Sequence, residues 1–172
     1  FTRELIALWP YLARKISQTV LDNPNLYSLV PLRNGFIIPG GRFKETYYWD
    51  TYWIIKGLLI SEMYETCRGM LNNLLSLVRD YGFVPNGARI YYLQRSQPPL
   101  LTAAVHQYVK FTNDTTWLRD NIDLLEKELN FWIKERTTEI RKDNQTYLLA
   151  HYNAGSSGPR PESYLEDMLV TQ

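Results

Sequence analysis

Pro39-Gly40-Gly41-Arg42-Phe43-Lys44-Glu45-Thr46-Tyr47-Tyr48-Trp49-Asp50-Thr51-Tyr52 is the stretch from which the rest of the chain is read. Two glycines in a row let the backbone turn tightly or approach a ligand closely. Arg42, Glu45 and Asp50 then set charged hydrogen-bonding groups beside Phe43, Tyr47 and Trp49. No Gly-Lys-Ser/Thr follows the glycines, which argues against a phosphate loop. Two readings stay open on physics alone. In one, the rings lie against the C–H faces of a neutral sugar while the charged groups bond its hydroxyls. In the other, the stretch is a glycine turn capped by a buried Arg–Asp pair, with no ligand.

Outward from its C-terminal end the period becomes helical. Ile54, Ile55, Leu58, Leu59 and Met63 predict one helix, and Met70, Leu71, Leu74, Leu75 and Val78 predict another that closes at Tyr81-Gly82. Before the stretch, Leu12, Ile16 and Val20 predict a helix with Pro10 in its first turn, ended by Asp22-Asn23-Pro24. Residues 25–50 and 83–99 read as irregular. Residues 100–111 read as a short helix, Thr112-Asn113-Asp114 as a turn, and residues 117–133 as a long amphipathic helix. Arg136 just beyond it reads as solvated. Its apolar positions Leu125, Leu129 and Trp132 are expected to stay partly exposed. Lys142-Asp143-Asn144-Gln145 reads as a turn between extended pieces, residues 152–161 as a loop, and residues 163–170 as the start of another helix. Helix pairs alternating with long loops predict an all-α fold of stacked αα-hairpins, more than half helical. Loops of this length in a compact domain are functional or disordered, and these hold too many aromatics for disorder.

Composition narrows the classes. Lys+Arg 19 against Asp+Glu 18 leaves a net charge of +1, with no basic stripe calling for nucleic acid. No apolar run reaches the roughly 18 residues of a membrane span. Cys67 is the single cysteine and cannot form an internal disulfide. His106 and His151 are too scattered to join it in a metal site, and no cofactor motif is present. No Gly-x-Ser-x-Gly elbow offers a serine nucleophile. The aromatic fraction of 14%, with 13 Tyr and 5 Trp, suits either a helical core or a sugar site. Asn113-Asp114-Thr115 and Asn144-Gln145-Thr146 are sequons, so N-glycans at Asn113 and Asn144 and an extracellular or cell-surface location are the expectation. The chain starts at Phe1 and its first methionine is Met63. It reads as residues 1–172 of a longer protein, a single incomplete domain cut at both ends.

Position by position, the opening stretch resembles the first signature of the trehalases of glycoside hydrolase family 37, matching it from Pro39 to Tyr52. Tyr81-Gly82-Phe83-Val84-Pro85-Asn86-Gly87-Ala88-Arg89 through Tyr92, then Arg95-Ser96-Gln97-Pro98-Pro99, is similar to that family's second block. Pro159-Arg160-Pro161-Glu162-Ser163-Tyr164, with Glu166-Asp167, is similar to its third. The resemblance implies part of an (α/α)6 toroid and hydrolysis of α,α-trehalose to two glucose molecules without a cofactor. It implies that Arg42, Trp49, Asp50, Asn86, Arg95, Gln97, Arg160 and Glu162 hold the glucose units, with Phe43 in the pocket wall and Ser96 between two contacts.

Carboxylates such as Asp50 and Glu162 can accept from two vicinal hydroxyls at once, and arginines donate in a planar fork. The resemblance also implies inversion, in which an acid and a base stand about 6.5–9.5 Å apart. In the family, the acid is an aspartate and the base a glutamate downstream of the third block. No catalytic residue is therefore expected in this chain; both are expected beyond Gln172. Asp50 with Glu162 is the alternative pair, disfavoured because neighbouring arginines should depress both pKa values.

Overall fold

The computed structural model describes residues 2–171. The chain packs around α5 (Tyr64–Tyr81), whose Cys67, Met70, Leu71, Leu74, Leu75 and Val78 recur at helical spacing and are all buried. Gly82 ends it in the left-handed region at φ 88, and its N–H reaches Val78 O at 2.8 Å, as a glycine stop should. Around it lie α4 (Tyr48–Ile60), α6 (Leu101–Thr112) and α7 (Thr115–Glu135). α4 and α5 form one αα-hairpin through the turn at 61–63, where Glu62 takes φ 60. α6 and α7 form the second through Asn113 at φ 57 and Asp114, whose carboxylate accepts the Trp117 N–H at 3.1 Å. Met63, expected on the first helix, instead precedes α5. The Cys67 Sγ sits 3.8 Å from Ile55 O, and burial pushes its thiol up to about 12.

Helical residues, 3₁₀ turns included, make up 55% of the chain, so the all-α expectation holds. The predicted N-terminal helix does not run through. After α1 (Thr2–Ile6), α2 (Trp9–Leu12) stops and β1 (Ala13–Arg14) pairs antiparallel with β2 (Phe36–Ile37) before α3 (Gln18–Asp22) begins. Phe36, Ile37 and Ile38 are buried, so their backbone groups need partners. Residues 12–14 supply them, with Ile38 N–H reaching Leu12 O at 3.0 Å. Pro10 does occupy the first turn of α2.

After α7, β3 (Thr137–Lys142) and β4 (Gln145–Ala150) form a hairpin whose tip holds Asp143 and Asn144 at φ 51 and 60. α8 (Tyr164–Val170) ends the described chain. Arg136 is buried, not solvated: its guanidinium lies 4.8 Å above the Phe131 ring, and its carbonyl accepts the His151 N–H. Leu125 is buried as well, while Leu129 is exposed and Trp132 half-buried. Among the described residues, no helix is long and apolar enough to cross a membrane.

One polar network crosses the core. Tyr48 on α4 donates its hydroxyl proton to Glu128 Oε1 on α7 at 2.6 Å and accepts the Leu101 N–H of α6 at 3.0 Å. Burial pushes the Glu128 carboxyl up from its ordinary 4.5 to about 7. Between those values the folded chain keeps a proton that the unfolded chain has released, so stability falls as pH rises through that window. The full swing is about 3 kcal/mol. Urea denaturation at about pH 5 and about pH 8 should therefore show the loss, and Glu128→Gln should remove most of it. An equal loss in the variant would assign the pH dependence to other groups.

Candidate functional site

Three loops meet over the N-terminal end of α4 and enclose a cleft of about 550 Å³. The first loop turns at Gly40 and Gly41, with φ 108 and 58. Gly40 and Phe43 exchange backbone hydrogen bonds of 3.3 and 3.0 Å, a closure that side chains at those φ values would strain. Arg42 leaves this turn exposed, its guanidinium 4.8 Å above the Phe43 ring. Phe43 in turn meets Tyr47 edge-on at 5.6 Å.

The second loop follows α5 and is stitched to the first through backbone groups. Tyr48 N–H reaches Asn86 O at 3.2 Å and Ala88 N–H reaches Thr46 O at 3.3 Å, while within the second loop Asn86 N–H reaches Arg95 O at 3.0 Å. Helix α4 has no side-chain cap of its own at Tyr47. Gln97 serves instead, its Oε1 accepting the Trp49 N–H at 3.0 Å and so satisfying a donor the helix leaves open. The third loop precedes α8. There Arg160 is locked to Asp167 by its backbone N–H at 2.8 Å and by parallel Nε and Nη2 bonds of 2.9 and 2.6 Å. These bonds hold the Asp167 carboxyl down to about 2.

Of the residues predicted for the site, Arg42, Phe43, Trp49, Asp50, Asn86, Gln97, Arg160 and Glu162 line the cleft together. Arg95 lies behind the lining, stacked 5.1 Å over Tyr92 and in a short ion pair with Glu162. Ser96 is buried behind the wall and does not line it. Glu45, Tyr47, Tyr91, Tyr92 and Ser163 line the cleft without having been placed in the site. All five stand inside the quoted blocks, and their alternation of rings and charge was the available signal. Arg89 holds Glu45 through Nε at 2.8 Å and reaches Ser28 Oγ at 2.5 Å. Burial raises the phenols of Tyr47 and Tyr92, so both are neutral donors and acceptors at ordinary pH.

One electrostatic expectation reverses. Asp50 was to be depressed by neighbouring arginines, yet burial raises its pKa. The cations are directed elsewhere: Arg42 to Phe43, Arg95 to Glu162 and Arg160 to Asp167. The alternative of a capped Arg–Asp pair also fails. Among the described residues, no ion pair joins Arg42 to Asp50, although both face the same cleft.

The family model described as Trehalase matches residues 1–172. The chain belongs to the trehalase family. It is 58% identical over 170 residues to a trehalase of Tenebrio molitor, covering 99% of this chain and 31% of that protein. It is 52% identical over 165 residues to a trehalase of Homo sapiens, covering 96% of this chain and 28% of that protein. This member of the trehalase family therefore spans about three-tenths of the length of such relatives. Among solved structures it is similar to the neutral trehalase Nth1 from Saccharomyces cerevisiae. The TM-score is 0.61 at 30% identity, over 80% of this chain and 26% of that one. The αα-hairpins are thus those of part of an (α/α)6 toroid.

The stitch between the loops leaves no room at Gly87, where a Cβ would stand 2.9 Å from Thr46 O and 3.0 Å from the Tyr92 ring. Gly87→Ala should destabilise the chain by about 1–3 kcal/mol. Gly158, with nothing within 4 Å of an added Cβ, should tolerate alanine to within about 0.5 kcal/mol. Urea midpoints of the two variants compare them directly.

Proposed function

We propose that this chain is the sugar-gripping part of an enzyme that hydrolyses α,α-trehalose to two glucose molecules. The observation that carries the reading is that, among the described residues, Arg42 and Asp50 line one cleft and neither is in an ion pair. An acceptor-only carboxylate and a donor-only guanidinium face one cleft without neutralising each other. A neutral polyol needs both, since every hydroxyl donates once and accepts as well. Exposed Phe43 and Trp49 add flat apolar faces beside them, and the cleft volume suits a small molecule of this class.

The roles follow from the chemistry. Arg42 donates in a planar fork, Asp50 accepts from neighbouring hydroxyls, and Asn86 offers both a donor and an acceptor. Arg95 pairs with Glu162 and keeps it aimed at the cleft. Gln97 spends its oxygen on α4, which leaves its amide protons for the ligand. Arg160 and Glu162 bring the third loop to the same ligand. We place the general acid and the general base of an inverting reaction outside this chain, in the same longer polypeptide. There they would flank the glycosidic oxygen from opposite faces, about 6.5–9.5 Å apart.

Glucose release from trehalose tests this. In the protein containing this chain, Arg42→Ala should lower kcat/KM tenfold or more, the loss of a charge-assisted bond worth about 1.5–3 kcal/mol. Arg119, exposed on α7 and outside the cleft lining, is the control and should change kcat/KM less than about twofold on substitution by alanine. Equal effects in folded protein would remove Arg42 from the site.

The chain alone should release no glucose at a useful rate, because each missing proton-transfer group is worth about 10²–10⁴-fold. Activity of the isolated chain near that of the whole protein would instead place the chemistry within it, with Asp50, Glu45 and Glu162 the carboxylates to mutate first.

A further inference from the structure

Glu128 lies outside the cleft, on α7, and is almost fully buried. A carboxyl group in an apolar stripe is costly unless something uses it. Its Oε1 accepts the Tyr48 hydroxyl at 2.6 Å, and the Val84 N–H and the Trp132 indole N–H face it from the loop after α5 and from α7 itself. The indole nitrogen is buried and makes no hydrogen bond of normal geometry. Tyr48 is the first residue of α4, and the next two residues, Trp49 and Asp50, line the cleft. The tyrosine hydroxyl also accepts the Leu101 N–H at 3.0 Å. It thereby caps α6, whose own N-cap position, Leu100, offers no side-chain bond. One oxygen atom thus joins α4, α6 and α7 directly beneath the cleft wall.

We propose that Glu128 is a positioning residue of the sugar site: by holding Tyr48 it fixes the first turn of α4, and with it the placement of Trp49 and Asp50. The inference rests on the sugar-binding reading of the cleft. From outside, the turn is held by Asn86 O and Gln97 Oε1, which take the Tyr48 and Trp49 N–H groups. Those bonds engage backbone N–H groups from the side of the loops. The Tyr48 side chain, anchored in the core at its far end, holds the same turn from within. Rotation of the turn by a fraction of a residue step would swing Asp50 away from Arg42 while leaving the helix intact.

The test uses the whole protein carrying Glu128→Leu, Glu128→Gln, Tyr48→Phe, or Tyr48→Phe with Glu128→Leu together. Kinetics of glucose release from trehalose are read beside amide hydrogen exchange over residues 49–53. Glu128→Leu and Tyr48→Phe should each raise KM about tenfold and change kcat less than about threefold, because the wall binds substrate and performs no proton transfer. Glu128→Gln, which keeps an acceptor for Tyr48, should restore KM to within about twofold of wild type. The double variant should be no worse than the poorer single one, since both remove the same bond.

Wild-type KM and unchanged exchange in folded Glu128→Leu would overturn the proposal, as would a Glu128→Gln as impaired as the leucine variant. If Glu128→Leu does not fold, Tyr48→Phe decides by the same criteria. If the wild-type protein releases no glucose at all, the sugar reading falls. The exchange contrast still judges Glu128: lost protection confined to residues 49–53 supports its hold on α4, and unchanged protection refutes it.

Discussion

Two backbone hydrogen bonds, from Tyr48 to Asn86 and from Ala88 to Thr46, hold together two loops that lie in no common sheet, and a third, from Asn86 to Arg95, closes the second loop on itself. Everything in the cleft is referred to that stitch. It sets where α4 begins and so which residues of the signature point outward. It brings Gln97 under the open N–H groups of the first turn. It also demands glycine at position 87, because the opposing carbonyl lies where a side chain would start. Loops carry function well only when a rigid scaffold places them. Here the scaffold is the pair of helical hairpins, and the stitch transmits their order to the loops.

Charge is distributed in two ways. Arg89 with Glu45, Arg95 with Glu162, and Arg160 with Asp167 are paired within the protein, and each pair fixes the direction of a loop. The most exposed of them, Arg160 with Asp167, contributes little stability, because solvent screens such contacts. Its geometry is what matters: three bonds to one carboxylate leave the arginine few alternative poses. Among the described residues Arg42 and Asp50 are not paired in this way, although both line the cleft.

Local chemistry was legible in the sequence, and remote partnership was not. Gly82 as a helix stop, Asn113 in the left-handed turn and the Asp143-Asn144 tip are all decided by a residue and its immediate neighbours, and the reading placed each of them. The break between α2 and α3 is decided by Phe36 and Ile37, more than twenty positions away in sequence, whose buried backbone recruits Ala13 and Arg14. No helical period could announce that. Arg136 has the same cause: its burial depends on Phe131 and on the returning strand at His151. For the cleft, the blocks named residues that do converge. Which arginine serves which carboxylate was settled only in three dimensions, and Asp50 was misjudged for that reason. Glu128 stood in plain view between Leu125 and Leu129, but its reason, Tyr48, is eighty positions upstream.

The thiol of Cys67 closes the account from a different side. It is completely buried between α5 and the Ile55 carbonyl of α4, and its proton is held far above the range in which thiols react. An alkylating reagent therefore meets it only when the first hairpin parts. The rate of labelling at this sulfur reports how often the scaffold opens beneath an intact surface, so the chain carries a built-in clock for its own breathing.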